Sequence, residues 1–123
     1  MDYNAISAEQ RAKLFKQEAK ALAHKAGKDW LDKWYGGQDS GACGFAWVNI
    51  RPANKGNTKE GKEERKVLRA MGFELDWTGK EFQWWNPSGL HVQNVDALHQ
   101  GASAAAKYLR EQGFSAYAGM RLD

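Results

Sequence analysis

The sequence predicts an α+β domain in which helices cover one face of a four-stranded antiparallel sheet. Two stretches alternate apolar and polar residues with the two-residue period of a strand, one around Trp47 and one from Phe114 to Arg121. Between them lie two segments with helical periodicity and one hairpin pattern. At 123 residues the chain is long enough to bury a core of its own, so we expect one domain over residues 1–123.

The first 37 residues predict an N-terminal extension of two helices. Ser7 and Gln10 have the spacing of a capping box, so a helix is expected from there to about Ala26, ended by Gly27. Asp29 is the predicted cap of a second, short helix that Gly36-Gly37 ends. The predicted apolar stripe of the first helix contains Phe15, Ala19, Leu22 and Ala26, and the second helix carries Trp30, Leu31, Trp34 and Tyr35.

The strongest strand candidate is the stretch from Gly44 to Arg51, and its two faces differ in kind. Side chains alternate along a strand, so the aliphatic residues point to one side and the aromatic and polar residues to the other. The aliphatic set, which suits packing under helices, is Ala46, Val48 and Ile50. The second set, typical of a binding face or of a face covered by another element, is Phe45, Trp47, Asn49 and Arg51.

The remaining elements follow from caps, turns and periodicity. Thr58 or Asn57 caps a helix that extends through Met71, and Asn94 caps a last helix whose stripe is Leu98, Ala102, Ala105 and Leu109. A hairpin around Thr78-Gly79 places Leu75 opposite Phe82. The same register places Asp76 opposite Glu81, a like-charge pair. Either the turn is longer than two residues, or a basic side chain or cation lies there.

Residues 43–123 therefore have the order strand, helix, strand, strand, helix, strand, which predicts a ferredoxin-like βαββαβ sandwich. Right-handed connections place the Gly44 strand in the middle of the sheet, beside the last strand and the Phe82 strand. Two helices then cover one face. The other, open face is left with Phe45, Trp47, Gln83, Trp85, Tyr117 and Arg121.

Composition restricts the cellular location and the class of partner more than it restricts the activity. The formal charge of +3 and the pI of about 9.0 permit nucleic acid or an acidic protein surface as a partner. A single cysteine, Cys43, excludes an internal disulfide framework. No apolar run approaches the ~20 residues of a membrane span, and Met1-Asp2-Tyr3-Asn4 lacks the pattern of a signal peptide. We expect a cytoplasmic protein without membrane association and without a cofactor.

Three sets of residues are candidates for sites of chemistry. Cys43 would need a nearby base to act as a nucleophile, and His91 is the candidate; an incidental thiol is the favoured interpretation. The spacing of His91, Asp96 and His99 matches no common metal site. A carboxylate cluster of Glu74, Asp76 and Glu81 is more typical of a solvated strand face. The sequence thus predicts neither an enzyme nor a metal site.

Two resemblances involve the central strand. Trp47-Val48-Asn49-Ile50 resembles the first-strand aromatic motif of the RNA recognition motif, which has this strand order and stacks bases on its central strands. The Phe82 strand departs from the second motif of that family. The stretches Gly41–Val48 and Ala116–Asp123 resemble small uncharacterised bacteriophage proteins. That resemblance implies a phage-encoded protein in the host cytoplasm and implies no activity.

These observations favour a small binding protein that contacts nucleic acid through a basic loop and helix and through aromatic residues of the open face. The segment from Arg51 to Arg69 carries seven basic and three acidic residues. The candidate site is Phe45, Trp47, Arg51, Lys55, Lys59, Lys62, Lys66, Arg69, Trp85 and Tyr117.

Three alternatives remain open. The same surfaces suit a protein-binding inhibitor or adaptor of a host factor, and an enzyme with an unrecognised site is the third hypothesis. The N-terminal helices could also fold over the open face, packing Trp30, Leu31 and Trp34 on Trp47. In that case the aromatic residues would be core residues instead of a binding face.

Overall fold

The computed structural model describes residues 7–123, and it has the α+β architecture and the four-stranded antiparallel sheet that the sequence predicts. Its elements in chain order are α1 (Ala8–Tyr35), β1 (Gly44–Arg51), α2 (Lys59–Ala70), β2 (Glu74–Leu75), β3 (Phe82–Trp85), α3 (Val95–Glu111) and β4 (Ser115–Leu122). The strands lie in the order β2-β3-β1-β4. Met1 to Asn4, used above for the signal-peptide expectation, lie outside the described residues.

The prediction of two N-terminal helices is wrong, because α1 continues as one helix of 28 residues through Gly27 and Asp29. Glycine inside a helix costs only about 1 kcal/mol relative to alanine, which packing can offset. Here Gly27 is buried against α3, where a Cβ would lie 2.8 Å from Leu90 Cδ1 and 3.0 Å from the Ala97 carbonyl oxygen. Asp29 accepts a hydrogen bond from Lys25 within the helix instead of capping a new one.

The buried stripe of α1 is also rotated from the predicted one. Its members step by four or three residues along the helix, and they are Ala8, Ala12, Phe15, Ala19, Ala23, Gly27 and Leu31. Leu22, predicted to face inward, is exposed. The small residues of this stripe let α1 approach α3 closely, and α1 packs on α3 and α2 rather than on the sheet. The predicted capping box at Ser7 and Gln10 is confirmed.

The strand faces and pairings follow the prediction. Ala46, Val48 and Ile50 are buried in the core beneath the helices, together with residues of all three helices. The central strand β1 pairs with β3 on one side and β4 on the other. Leu75 lies opposite Phe82 in the hairpin, as predicted.

In the hairpin, Asp76 and Glu81 are accommodated both by a longer turn and by a basic side chain, the two alternatives that the sequence left open. The Asp76 N–H donates to the Glu81 carbonyl oxygen, so the turn contains four residues instead of two. Asp76 turns its carboxylate to the Thr78 hydroxyl and to backbone N–H groups of the turn. These hydrogen bonds, the one from Thr78 first, lower the pKa of Asp76. Glu81 meanwhile pairs with Arg51 of the neighbouring strand.

In the described part of the chain, residues 7–123, no helix covers the open face, so the interpretation that the predicted N-terminal helices pack on Trp47 is wrong. Phe45, Trp85 and Tyr117 are 41%, 47% and 45% exposed. The Trp30 and Trp34 rings contact each other on α1, with centroids 5.6 Å apart, and Trp34 is exposed. A single continuous helix explains this result, because α1 cannot turn back around the edge of the sheet.

Candidate functional site

The open face is divided along β1 into an aromatic half and a polar half. In the aromatic half, Trp47 of β1 lies opposite Trp85 of β3 and Gly119 of β4. The two indole rings stack, with centroids 4.6 Å apart and planes inclined by 29°. Gly119 provides the room for this arrangement, because a Cβ there would lie 2.6 Å from the Trp47 ring. Trp47 is therefore held flat on the sheet, and Trp85 stands beside it with nearly half of its surface exposed.

Phe45 and Arg121 extend the aromatic half towards the start of β1. The Phe45 ring meets Trp85 edge-on, with centroids 6.3 Å apart. The Arg121 guanidinium lies 5.3 Å from the centre of the Phe45 ring, a cation–π distance. We name Phe45, Trp47 and Trp85 the aromatic cluster. It presents two half-exposed rings and one cation on a rigid sheet, a suitable geometry for stacking a flat ligand.

The polar half begins with a chain of hydrogen bonds next to the cluster. The Trp85 indole N–H donates to the Gln83 side-chain oxygen at 3.4 Å, and the Gln83 amide donates to Asn49 at 3.1 Å. Asn49 is buried although it faces away from the helices. The hydrogen bond from the Trp85 indole is long and exposed, and it directs the one polar atom of that ring towards its own strand.

Glu81 joins three strands at the far end of the face. It accepts a hydrogen bond from the Tyr117 hydroxyl and lies 3.6 Å from Arg51 Nε. The hydrogen bond to Glu81, with burial and the carboxylate charge, raises the pKa of Tyr117 to about 12. Tyr117 therefore stays protonated at physiological pH, and Arg51 is partly neutralised by an acidic partner.

A groove of about 450 Å³ opens beside the aromatic cluster, and Phe45 and Trp85 form part of its wall. Cys43 and His91, paired above as nucleophile and base, both line it. The exposed Cys43 thiol lies 3.4 Å from the Gln93 side-chain oxygen. Asp39, at the same groove, accepts hydrogen bonds from the backbone N–H groups of Gln93 and Asn94.

The predicted basic segment runs from the end of β1 to the helix layer. Lys62, Lys66 and Arg69 lie on α2, whose apolar residues pack against the core side of the sheet. Lys66 pairs with Glu9 of α1 at 3.4 Å. Lys55 lies in the connection between β1 and α2, Lys59 is the first residue of α2, and neither forms an ion pair among residues 7–123. The predicted site is thus in two parts on opposite sides of the sheet.

The structure brings together the predicted residues of the sheet and adds some that the sequence argument overlooked. Phe45, Trp47, Arg51, Trp85 and Tyr117 share the open face. Gly119 beneath Trp47 and Glu81 beside Tyr117 were not among the predicted site residues. A glycine inside a strand often marks a close approach by another group, and that signal was present at position 119.

The candidate metal ligands and the candidate carboxylate cluster do not come together in one site. Within residues 7–123, no group of three or more His, Cys, Asp or Glu side chains is arranged to hold a metal ion. The carboxylates of Asp76 and Glu81 are taken up by the turn and by Tyr117. None of the helices in the described part of the chain is both long and apolar enough to span a membrane.

Comparisons with known proteins find no relative of this chain. No protein-family model, no curated protein sequence and no solved structure matches this chain.

Proposed function

We propose that this chain is a non-enzymatic binding protein whose open face takes single-stranded nucleic acid. The observation that carries the proposal is the aromatic cluster on the face of the sheet opposite the helices, in which Phe45 and Trp85 are half-exposed and Trp47 is partly buried. Aromatic side chains exposed on a sheet are a common surface for stacking bases, since every base has a flat π face.

The rigidity of the cluster supports this use. Trp47 lies between Gly119 and Trp85, and Trp85 is held by its hydrogen bond to Gln83. A ligand that stacks on such rings does not have to order them first, so little conformational entropy is lost on binding. Arg121 beside Phe45 and Arg51 beside Glu81 lie on this face, and we expect them to contact phosphates together with Lys55 and Lys59, which follow β1 in the chain.

The strand order also supports a finer description of the fold. We propose that residues 43–123 form a ferredoxin-like unit and that α1 packs across its two helices, α2 and α3. The order of elements from β1 to β4 and the sheet order β2-β3-β1-β4 favour this description. The resemblance of two stretches to bacteriophage proteins is the basis for proposing that the chain is phage-encoded and acts in the host cytoplasm.

A protein partner is the second candidate, and the groove is the observation that favours it. Leu90, Val92 and Leu98 line the groove beside the aromatic residues, with Asp39 and Gln93 as polar groups. An apolar pocket flanked by aromatic anchors and polar groups is typical of the centre of a protein interface. In this case the chain would be an inhibitor or adaptor of a host factor.

The first experiment is a titration of labelled single-stranded DNA and RNA with wild type, Trp85→Ala and Trp77→Ala. Base stacking contributes about 1–3 kcal/mol per base, so Trp85→Ala should weaken binding by roughly 5- to 150-fold. Trp77 is 96% exposed in the hairpin turn, outside the cluster, and is the matched control that should bind like wild type. Equal affinity of wild type and Trp85→Ala would contradict the proposal. Absence of binding by wild type would leave the protein-partner function as the leading one.

A further inference from the structure

The outer edge of β4 is the most open hydrogen-bonding surface of the sheet. Among residues 7–123, β4 has eight residues and pairs only with β1, whereas the opposite edge strand, β2, has two residues. Edge strands are normally protected by shortness, proline, bulges or several charges. From Ser115 to Leu122 the strand contains no proline and a single charged residue, Arg121. The outer edge of β4 can therefore form backbone hydrogen bonds with another strand.

The hydrogen-bond pattern shows which residues of β4 are free to pair. The Asp123 N–H donates to the Cys43 carbonyl oxygen, so odd-numbered residues of β4 direct their backbone groups towards β1. The even-numbered residues direct theirs outward. Arg110 agrees with this assignment, because its guanidinium donates to the Ala116 carbonyl oxygen at 2.9 Å. The outward groups belong to Ala116, Ala118, Met120 and Leu122. Of these, the Ala116 carbonyl already accepts from Arg110, which must share or release that oxygen when a second strand pairs.

We propose that β4 pairs antiparallel with β4 of a second copy of this chain, centred on Gly119. Two copies meeting across a two-fold axis must present the same residues to each other. In this register the numbers of two facing residues add up to 238, so that Gly119 faces Gly119 of the second copy. Ala116 then exchanges backbone hydrogen bonds with Leu122 of the second copy, and Ala118 with Met120. Within Ser115–Leu122, centres at residues 118 and 119 pair strands of equal length, and the side chains described next favour 119.

The side chains on the core side fit this register. Met120 and Leu122 are 40% and 62% exposed at the edge of the sheet, although both point to its core side. Pairing places each of them opposite an alanine, so a large side chain always faces a small one. The contact covers the two apolar residues that the single copy leaves exposed on this strand.

On the open side, the same register brings Tyr117 opposite Arg121 of the second copy. An aromatic ring opposite a guanidinium is a favourable cross-strand pair. The two-fold axis is perpendicular to the sheet, so both open faces lie on the same side of one eight-stranded sheet. The dimer does not depend on the proposed nucleic-acid function, but it would join the two aromatic surfaces into one.

Disulfide cross-linking tests the register directly. In a Cys43→Ser background, Tyr117→Cys and Arg121→Cys are prepared separately and oxidised alone and as a mixture. Directly opposed residues that exchange no backbone hydrogen bonds have Cα atoms about 4.5 Å apart, within disulfide range. The mixture should form a covalent dimer, and each variant alone should not, because like residues are four positions apart along the strands. Absence of the dimer in the mixture, or equal dimer in the single variants, overturns the proposal.

Solution mass provides the second measurement. Wild type should approach twice its chain mass of 13.8 kDa as concentration rises in light scattering coupled to size exclusion. The double variant Met120→Lys, Leu122→Lys should remain at one chain mass, since it places cations at the self-facing edge. Trp77→Lys is the control for an exposed apolar residue elsewhere and should dimerise like wild type. A wild-type protein that stays monomeric, or a double variant that still dimerises, excludes this interface, with circular dichroism verifying the fold of each variant.

Discussion

Trp47 lies flat over Gly119, the residue opposite it on β4, so closely that no side chain fits between the indole and the strand. This contact is the base of the aromatic cluster. It lowers the Trp47 ring onto the sheet and leaves room for Trp85 to stack on it at 4.6 Å. The position of Trp47 on the open face therefore depends on the absence of a side chain at residue 119.

Gly119→Ala should destabilise the protein by about 1–3 kcal/mol, the usual cost of overpacking. The added Cβ would lie 2.6 Å from the Trp47 ring, so the indole must tilt and lose its stacking on Trp85. Gly56→Ala is the control, because a Cβ there meets only Arg65 at ordinary contact distance. Chemical denaturation compares the variants, and equal stability of Gly119→Ala and wild type would show that Trp47 does not depend on this contact.

The Tyr117–Glu81 hydrogen bond should make stability depend on pH in the alkaline range. Tyr117 has a pKa of about 12 when folded, and tyrosine in an unfolded chain titrates near ~10. Between those values the folded chain keeps a proton that the unfolded chain loses, so this contribution is complete below pH ~10 and falls as pH rises towards about 12.

The measurement is chemical denaturation across that range for wild type and Tyr117→Phe. The difference in stability between them should shrink as the pH rises. Tyrosinate absorbance gives an independent reading, in which Glu81→Gln should move the Tyr117 transition back towards its ordinary pKa. Parallel stability curves for wild type and Tyr117→Phe would contradict the assignment.

Gly101→Ala on α3 should lower stability, although alanine is the better helix former by about 1 kcal/mol. A Cβ at this position would lie 2.9 Å from the Ala23 carbonyl oxygen of α1 and 3.0 Å from Ser88 Cβ. Since a backbone atom cannot move aside as a flexible side chain does, the cost of separating the helices should exceed the gain. Lys107→Ala, on the exposed side of α3, is the control and should change stability by less than about 0.5 kcal/mol. A more stable Gly101→Ala protein, measured by thermal melting, would show that α1 is free to shift.

The sheet was predictable because its signals are local and agree with one another. Alternation in β1 divides its side chains into two faces, and the hairpin register follows from placing Leu75 opposite Phe82. Caps at Ser7, Thr58 and Asn94 fall directly before the helices that they begin. At each of these positions, propensity, pattern and tertiary packing favour the same structure.

The N-terminal region was not predictable in the same way, because a tertiary contact overrides the local signal. Gly27 followed by Asp29 has the local pattern of a helix end and a new cap. The close approach of α1 to α3 makes a glycine useful inside the helix, and that approach depends on residues about 70 positions away. The sequence also left open whether Trp47 was covered, since this depends on the path of α1.

The candidate site was predictable on the sheet and incompletely so elsewhere. Strand alternation brings Phe45 and Trp47 to one face, and pairing adds Trp85 and Tyr117. The cations of α2 were grouped with these residues because they are close in sequence. In space the chain crosses from the sheet to the helix layer between Arg51 and Lys59, which separates the two sets.

Because the cations of α2 lie apart from the open face, the two groups of cations should contribute differently to the salt dependence of nucleic-acid binding. On single-stranded DNA, each phosphate-contacting cation removed should lower the salt slope of affinity by about 0.7 units. Lys55→Ala, Lys59→Ala should therefore lower the slope by about 1.4. The triple variant Lys62→Ala, Lys66→Ala, Arg69→Ala should lower it by less than that, because α2 packs on the core side and Lys66 already pairs with Glu9. Titrations of labelled single-stranded DNA at several salt concentrations measure both slopes, and Lys107→Ala on the exposed side of α3 is the control for a lost surface charge. A larger decrease for the triple variant than for the double would place the phosphate contacts on the helix layer, and the open face would then not be the binding surface.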